Sequence, residues 1–236
     1  MSQDLPNFGS ITVASPVGVA LRDRQEARRG ATPGDVLKRG FDVTVAAALC
    51  LALLPLLLTI VVLQWYSGSA LFYRHRRIGR DGNPFDCLKF QTMRPDADAV
   101  LASLLAADPA LRAEWHMAQK LRDDPRVTRV GRFLRATSLD ELPQLLNVLR
   151  GEMSLVGPRP VVQAELEEFY GEEGLNAYCS VRPGITGLWQ VSGRSDIGYA
   201  ERVRLDIRYV QSRSFVLDLR ILCQTVRVVL SCRGAC

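Results

Sequence analysis

With 236 residues the chain can bury one ordinary domain and has some length to spare. It carries a net charge of +5 with a pI near 9.0, and only Lys38, Lys89 and Lys120 among its thirty basic residues are lysine. Most of the positive charge is therefore guanidinium, the better bidentate partner for phosphate. Six cysteines without a Cys-x-x-Cys pair, and two distant histidines, exclude the usual zinc spacings and leave reduced, cytosol-facing thiols as the default.

Residues 1–36 mix Gly, Pro, Ser and charge without periodicity and read as a mobile tail. No cleavable signal is expected, because the first apolar run starts too far in and lacks a small-residue cleavage site. That run, residues 43–63, has 21 residues, no charge, and only Thr44 and Thr59 as polar members. At ~1.5 Å per residue it is long enough for a bilayer core of about 30 Å. Arg22, Arg24, Arg28, Arg29, Lys38 and Arg39 precede it, and Arg74, Arg76, Arg77, Arg80 and Lys89 follow it. Such balanced flanks are best accommodated with both ends in the cytosol. Pro55, near the middle, breaks or kinks a helix. We therefore expect a membrane-embedded, re-entrant helix–break–helix over residues 37–66, with Gly40 and Ser67 both facing the cytosol. A kinked single crossing is the alternative, which length alone does not exclude.

Residues 67–236 are expected to form a cytosolic catalytic domain at the membrane surface, giving an α+β, mostly helical chain. Apolar runs at 70–73 and 85–90, with Asp81-Gly82-Asn83 between them, predict a small β-hairpin whose second strand holds Lys89. Residues 100–121 predict one amphipathic helix, or two interrupted at Asp108-Pro109. Arg126, Arg129, Arg132 and Arg135 then recur every third residue. They read as a solvated face or one resting on anionic headgroups, or, for Arg135, as a side chain aimed into a site.

The densest chemistry lies at residues 137–160, where Asp140 and Glu141 open a short apolar helix marked by Leu142, Leu145, Leu146 and Leu149 and ended by Gly151. Ser138 and Glu141 fit a capping box; alternatively Asp140 is the N-cap, which places Pro143 in the first turn. Two acids there are explained by capping alone. The following Gly157-Pro158-Arg159-Pro160 turn is harder to explain that way. Pro160 can open the next helix, so Arg159 would sit beside a helix N-terminus, a good anion site. Acids able to hold a metal, followed by an anion-binding arginine, suit chemistry on a phosphate.

Residues 181–194 are rich in turns, with Gly184, Gly187 and Gly193 permitting close backbone approach, and Trp189 suits either a core or a stacking surface. Residues 201–211 predict a helix, and residues 214–230 an apolar one carrying Asp218, Arg220 and Arg227. The last of these is expected either on the membrane surface or packed on the domain.

Six motifs in order carry a resemblance: the apolar segment with its central proline, Lys-Phe-x-Thr-Met at 89–93, Asp-Pro-Arg-Val-Thr at 124–128, Ser-Leu-Asp-Glu-Leu-Pro-Gln at 138–144, Gly-Pro-Arg-Pro at 157–160 and Pro-Gly-Ile-Thr-Gly-Leu-Trp-Gln at 183–190. From about Lys38 onward the chain resembles the bacterial sugar transferases, or monotopic phosphoglycosyl transferases, and within them the small enzymes that start exopolysaccharide repeat units. The resemblance implies transfer of a hexose-1-phosphate, galactose or glucose favoured, from a UDP-sugar to undecaprenyl phosphate with release of UMP. It implies Mg2+, Asp140 as a nucleophile forming a phosphosugar intermediate, and Glu141 as the metal ligand. It also places Lys89, Arg135, Arg159, Pro160 and Arg194 against substrate, and the chain at the cytoplasmic face of a bacterial inner membrane among its lipids. A second copy of the chain and downstream glycosyltransferases are the protein partners to consider. Two positions depart from the family pattern: Gln91 stands where arginine is usual, and Leu54-Pro55 replaces a common Ser-Pro. Two readings from other classes compete: an inactive membrane scaffold, which the intact Asp140, Glu141 and Arg159 oppose, and a nucleic-acid binder, which the aliphatic segment and sparse aromatics oppose.

Overall fold

The computed structural model describes residues 32–66, 70–118, 121, 123–193 and 198–230. The reading of residues 1–31 as a tail, and the expectations on Ser67 and Arg194, lie outside the described residues. The first helix, α1 (Pro33–Ala52), begins inside the stretch read as tail. It starts there because Thr32 and Asp35 close a capping box: the Thr32 hydroxyl oxygen accepts from the Asp35 N–H at 3.2 Å, and the Thr32 N–H donates to the Asp35 carboxylate at 3.1 Å.

α1 stops at Leu53, and α2 (Leu54–Tyr66) leaves at a bend of 62°. Pro55 sits in the first turn of α2, where a helix has no N–H to pair, so the break costs little there. Leu54, in place of the usual serine, does not prevent it: the Leu53 N–H still reaches the Leu49 carbonyl at 2.9 Å, and the Thr59 hydroxyl donates to the Pro55 carbonyl at 2.9 Å. The expected helix–break–helix is present. Among the described residues no single helix is long and apolar enough to cross a membrane; the bent pair is, by length and composition. Leu51, Leu54 and Leu58 around the bend stand exposed.

Both ends of the pair are fastened to the rest of the molecule. In α1, Arg39 donates to the Val148 and Leu149 carbonyls at 2.7 and 3.1 Å, and buried Asp42 accepts from the Ser154 hydroxyl at 2.7 Å. In α2, Gln64 donates to the Gln91 carbonyl at 2.6 Å, and Ile60 packs with Phe90 and Leu134. Burying each of these three apolar side chains contributes roughly 1.5–3 kcal/mol, as an upper figure.

Next come β1 (Phe72–Ile78) and β2 (Pro84–Phe90), an antiparallel hairpin registered from Phe72 opposite Phe90 to Ile78 opposite Pro84. β1 lies later than the apolar run at 70–73 suggested. It is an edge strand rich in His and Arg, so hydrophobicity does not mark it. Helices α3 (Ala97–Ala107) and α4 (Pro109–Ala118) divide at Asp108, whose carboxylate accepts from the Ala110 N–H at 2.7 Å. Helix α5 (Arg129–Ala136) is capped by Thr128, and α6 (Gln144–Arg150) ends on Gly151 with φ of 86°.

Two three-residue strands, β3 (Ser154–Val156) and β4 (Gly184–Thr186), pair in parallel, which the sequence reading did not anticipate. Between them run a π-helical turn (Leu166–Tyr170) and α7 (Gly171–Cys179); after them come α8 (Leu188–Ser192), α9 (Tyr199–Ser212) and α10 (Phe215–Leu230). α10 packs on the domain through fully buried Ile221 and through Asp218, which binds Lys38 at 2.6 Å and the Tyr209 hydroxyl at 2.8 Å. Val216 and Val226 on its other side are exposed. The main core joins α1, β2, α6, β3, α9 and α10 around Val148, Met153, Val156, Tyr209 and Ile221.

Candidate active site

Asp140 and Glu141 do not cap a helix as expected. They lie on a separate 3₁₀ turn (Leu139–Glu141) upstream of α6. Ser138 has φ of 56°, outside the extended geometry an N-cap needs, and makes no side-chain capping bond. The Glu141 carboxylate, which a capping box would turn back toward Ser138, instead accepts from Lys89 Nζ at 2.6 Å. The turn thus presents both acids to the hairpin.

Lys89 is aimed by Asn147, fully buried on a helix face it shares with Gln144, Leu145 and Val148. Its amide oxygen accepts from the Leu88 N–H at 3.0 Å and its amide nitrogen donates to the Asp86 carbonyl at 2.8 Å, clamping β2 to α6 beside Lys89. The sequence reading missed Asn147; its one signal was an amide among leucines and valines.

Arg135 approaches from α5, where Gly131 allows the helix to touch the chain after β2: a Cβ there would stand 2.1 Å from the Thr92 carbonyl oxygen. One turn on, Arg135 Nε donates to the Thr92 hydroxyl at 2.9 Å. Burial raises the Asp140 pKa above the ordinary carboxylate value, with Lys89 opposing, Glu141 reinforcing and Arg135 opposing. Arg126, by contrast, is structural: it is buried and doubly bonded to Asp124 at 2.8 and 2.7 Å. Gln91, standing where arginine is usual, turns its amide to the Met93 carbonyl at 3.0 Å and so faces the backbone.

The hairpin register sets His75 opposite Cys87, and Arg77 opposite Phe85, on the face that carries Lys89. Burial, then Arg77 and Lys89, lower the His75 pKa to about 4, so the imidazole is neutral at ordinary pH; its Nδ1 lies 3.0 Å from Arg77. Arg77 also donates to the Pro160 carbonyl at 3.2 Å and so holds the Gly-Pro-Arg-Pro turn. Arg159 adds to the same positive field, since it and Lys89 both lower the His75 pKa.

Pro160 does not open a helix: the next one starts at Gln163, so Arg159 has no helix N-terminus beside it. It is placed by glycines instead. A Cβ on Gly184 would meet the Gly157 nitrogen at 2.1 Å, and one on Gly187 the Gly157 carbonyl oxygen at 2.2 Å. The Gly-Pro-Arg-Pro and Pro-Gly-Ile-Thr-Gly segments therefore lie backbone to backbone, and Arg159 rests over the Trp189 ring at 5.7 Å. Of the expected site residues, Lys89 and Glu141 are in direct contact beside Asp140, Arg135 acts on Asp140 through its charge while bonded to Thr92, and Arg159 and Pro160 adjoin them through Arg77 and His75.

For a metal, the donors on hand are two adjacent carboxylates, one already shared with a lysine; among the described residues no three acids, thiols or imidazoles converge. That donor set fits Mg2+, which keeps waters and takes one or two carboxylates together with phosphate oxygens.

A family model described as bacterial sugar transferase matches residues 34–232. The chain is 51% identical over 203 residues to an exopolysaccharide production protein, ExoY, of Sinorhizobium fredii, covering 86% of this chain and 89% of that one. It is 51% identical to a UDP-galactose-lipid carrier transferase of Erwinia amylovora and 47% identical to an undecaprenyl-phosphate galactose phosphotransferase of Salmonella typhimurium. Each of those two matches covers 84% of this chain but 41% of the longer relative.

Proposed function

The chain belongs to the bacterial sugar transferase family, and we propose that it moves a hexose-1-phosphate from a UDP-sugar to undecaprenyl phosphate, with Asp140 as the nucleophile. It is a phosphoglycosyl transferase. The finer reading is carried by one observation: a half-buried carboxylate, Asp140, stands beside a Glu141–Lys89 pair at 2.6 Å, with Arg135 adding positive charge. Asp140 attacks the sugar-side phosphorus, the bond from that phosphorus to the bridging oxygen breaks, and UMP leaves with the oxygen. A phosphate oxygen of the acceptor lipid then attacks the same phosphorus and returns the carboxylate of Asp140.

A carboxylate approaching a diphosphate meets like charge. Lys89, Arg135 and Arg159 offset that repulsion, and the turn holds Asp140 in place before substrate arrives. Glu141, with Asp140 at its side, would hold Mg2+, which when bound supplies charge neutralisation on the phosphates.

The membrane reading rests on the two fastened ends of the bent pair. Arg39 and Asp42 at its start, and Gln64 at its end, bond to one body. A crossing would part them by a bilayer; a re-entrant dip at the cytoplasmic face of the inner membrane would not. Galactose is the first donor to try, because two of the relatives carry it in their names. Purified protein given a UDP-hexose, undecaprenyl phosphate and Mg2+ should release UMP in step with lipid-linked sugar phosphate. Release of UDP, or no release with any hexose donor, would overturn the proposal.

A further inference from the structure

Every residue of the turn from Gly157 to Val161 is held from outside it. The Gly157 N–H donates to the Thr186 carbonyl at 2.9 Å, and the Pro158 carbonyl accepts from the Gly184 N–H at 2.8 Å. Arg77 donates to the Pro160 carbonyl at 3.2 Å, and the Val161 N–H donates to the Tyr178 hydroxyl at 3.1 Å. That leaves Arg159, the side chain of the turn that is to meet substrate, and its holder is on α9. The Asp206 carboxylate, in a residue only 3% exposed, faces both the main-chain N–H and the guanidinium of Arg159.

Burial favours the neutral form of Asp206, while the Tyr170 hydroxyl, then the Arg159 guanidinium and N–H, favour its charge. Tyr170, the last residue of the π-helical turn, donates to Oδ2 at 2.9 Å and fixes the carboxylate. The Arg159 contact is the looser of the two, since Oδ1 makes no full hydrogen bond among the described residues. One turn earlier on α9, Arg202 lies 4.9 Å from the centroid of Trp189, the ring on which Arg159 also rests at 5.7 Å. α9 therefore meets Arg159 twice, at the main chain through Asp206 and at the side chain by way of Trp189. A tie between α9 and the π-helical turn would not by itself need a charge. An amide accepts from a tyrosine hydroxyl at a smaller cost of burial than a carboxylate. The partner that a buried negative charge suits is the positively charged one, Arg159.

We infer that Asp206 is a positioning residue for Arg159, holding that arginine where the donor's phosphates arrive. The inference rests on the use of a UDP-sugar argued above, and it extends the working parts of the site from the turns to α9. A double-mutant cycle on donor affinity tests it, with the full chain in detergent micelles and Asp140→Asn in every variant so that the donor binds without being consumed. Asp206→Asn keeps the shape and an acceptor for Tyr170, and it should weaken UDP-galactose binding about tenfold by calorimetry. Once Arg159 is alanine the same change should cost less than about twofold, because no guanidinium is left to position. An Asp206 that served only the fold would cost the same factor in both backgrounds, and that result would overturn the inference. Arg159→Ala with undiminished affinity would overturn it too, by taking Arg159 off the donor. Tyr170→Phe releases the carboxylate without removing it and should show the same dependence on Arg159, so the cycle stands even where Asp206→Asn fails to fold. UMP release by the chain with Asp140 intact separates the two levels. Release together with equal losses refutes the positioning alone; neither release nor UDP-galactose binding refutes the donor reading and the positioning with it.

Discussion

Glu141 is claimed by two partners, the lysine it binds at 2.6 Å and the cation it is proposed to hold. If both claims hold, Glu141→Gln should raise the Mg2+ concentration giving half-maximal rate by tenfold or more, read from UMP release across a Mg2+ series. An unchanged curve would leave Glu141 as the partner of Lys89 alone. Asp206 raises a different question, of stability. Burial pushes its pKa up to about 7 from an ordinary 3.8, so the folded chain binds a proton there that the unfolded chain has lost. Its contribution is fully present below about pH 4 and is lost as pH rises toward 7, a loss of a few kcal/mol at most. Asp206→Asn should flatten the fall in melting temperature across that window, and parallel wild-type and variant profiles would contradict it. At this scale the acids and Arg159 were legible in the sequence because they sit in short, charge-bearing turns. Asn147, Thr92 and His75 were not, since their partners lie between 43 and 61 residues away or across a hairpin register that no local pattern encodes.

Among the elements, the bent helix pair was legible because Pro55 interrupts a long apolar run, and the paired helices at Asp108-Pro109 for a similar reason. The β3–β4 pair was not: strands of three residues carry no period, and what joins them is the mutual contact of Gly157, Gly184 and Gly187. That contact is testable. Gly184→Ala puts a methyl 2.1 Å from the Gly157 backbone nitrogen, which cannot step aside as a side chain could. It should destabilise by about 1–3 kcal/mol, at ~2–4 °C of melting temperature per kcal/mol, and lower transfer activity by displacing Arg159. Gly40→Ala, in the middle of α1 with nothing within 4 Å of the added methyl, should be neutral or stabilising by about 1 kcal/mol. Equal behaviour of the two variants would show that the glycine contact does not position the Arg159 turn.

For the whole molecule, the balanced basic flanks and the structure converge from different directions. The flanks argue that neither end of the apolar segment crosses, and the bonds of Arg39, Asp42 and Gln64 show both ends held on one body. In a variant without native cysteines, single cysteines at Gly40 and Ala70 should both be protected from an impermeant thiol reagent in intact spheroplasts and both react after lysis. Labelling of position 40 alone before lysis would mean a crossing. The central claim, however, concerns Asp140. The most direct measurement is the mass of the intact protein after exposure to UDP-galactose and Mg2+ with no acceptor lipid, followed by mapping of the modified peptide. The account predicts one hexosyl phosphate carried on Asp140, removed by undecaprenyl phosphate and absent in Asp140→Asn; an unmodified protein that nonetheless turns over with acceptor, or an adduct on another residue, would contradict it.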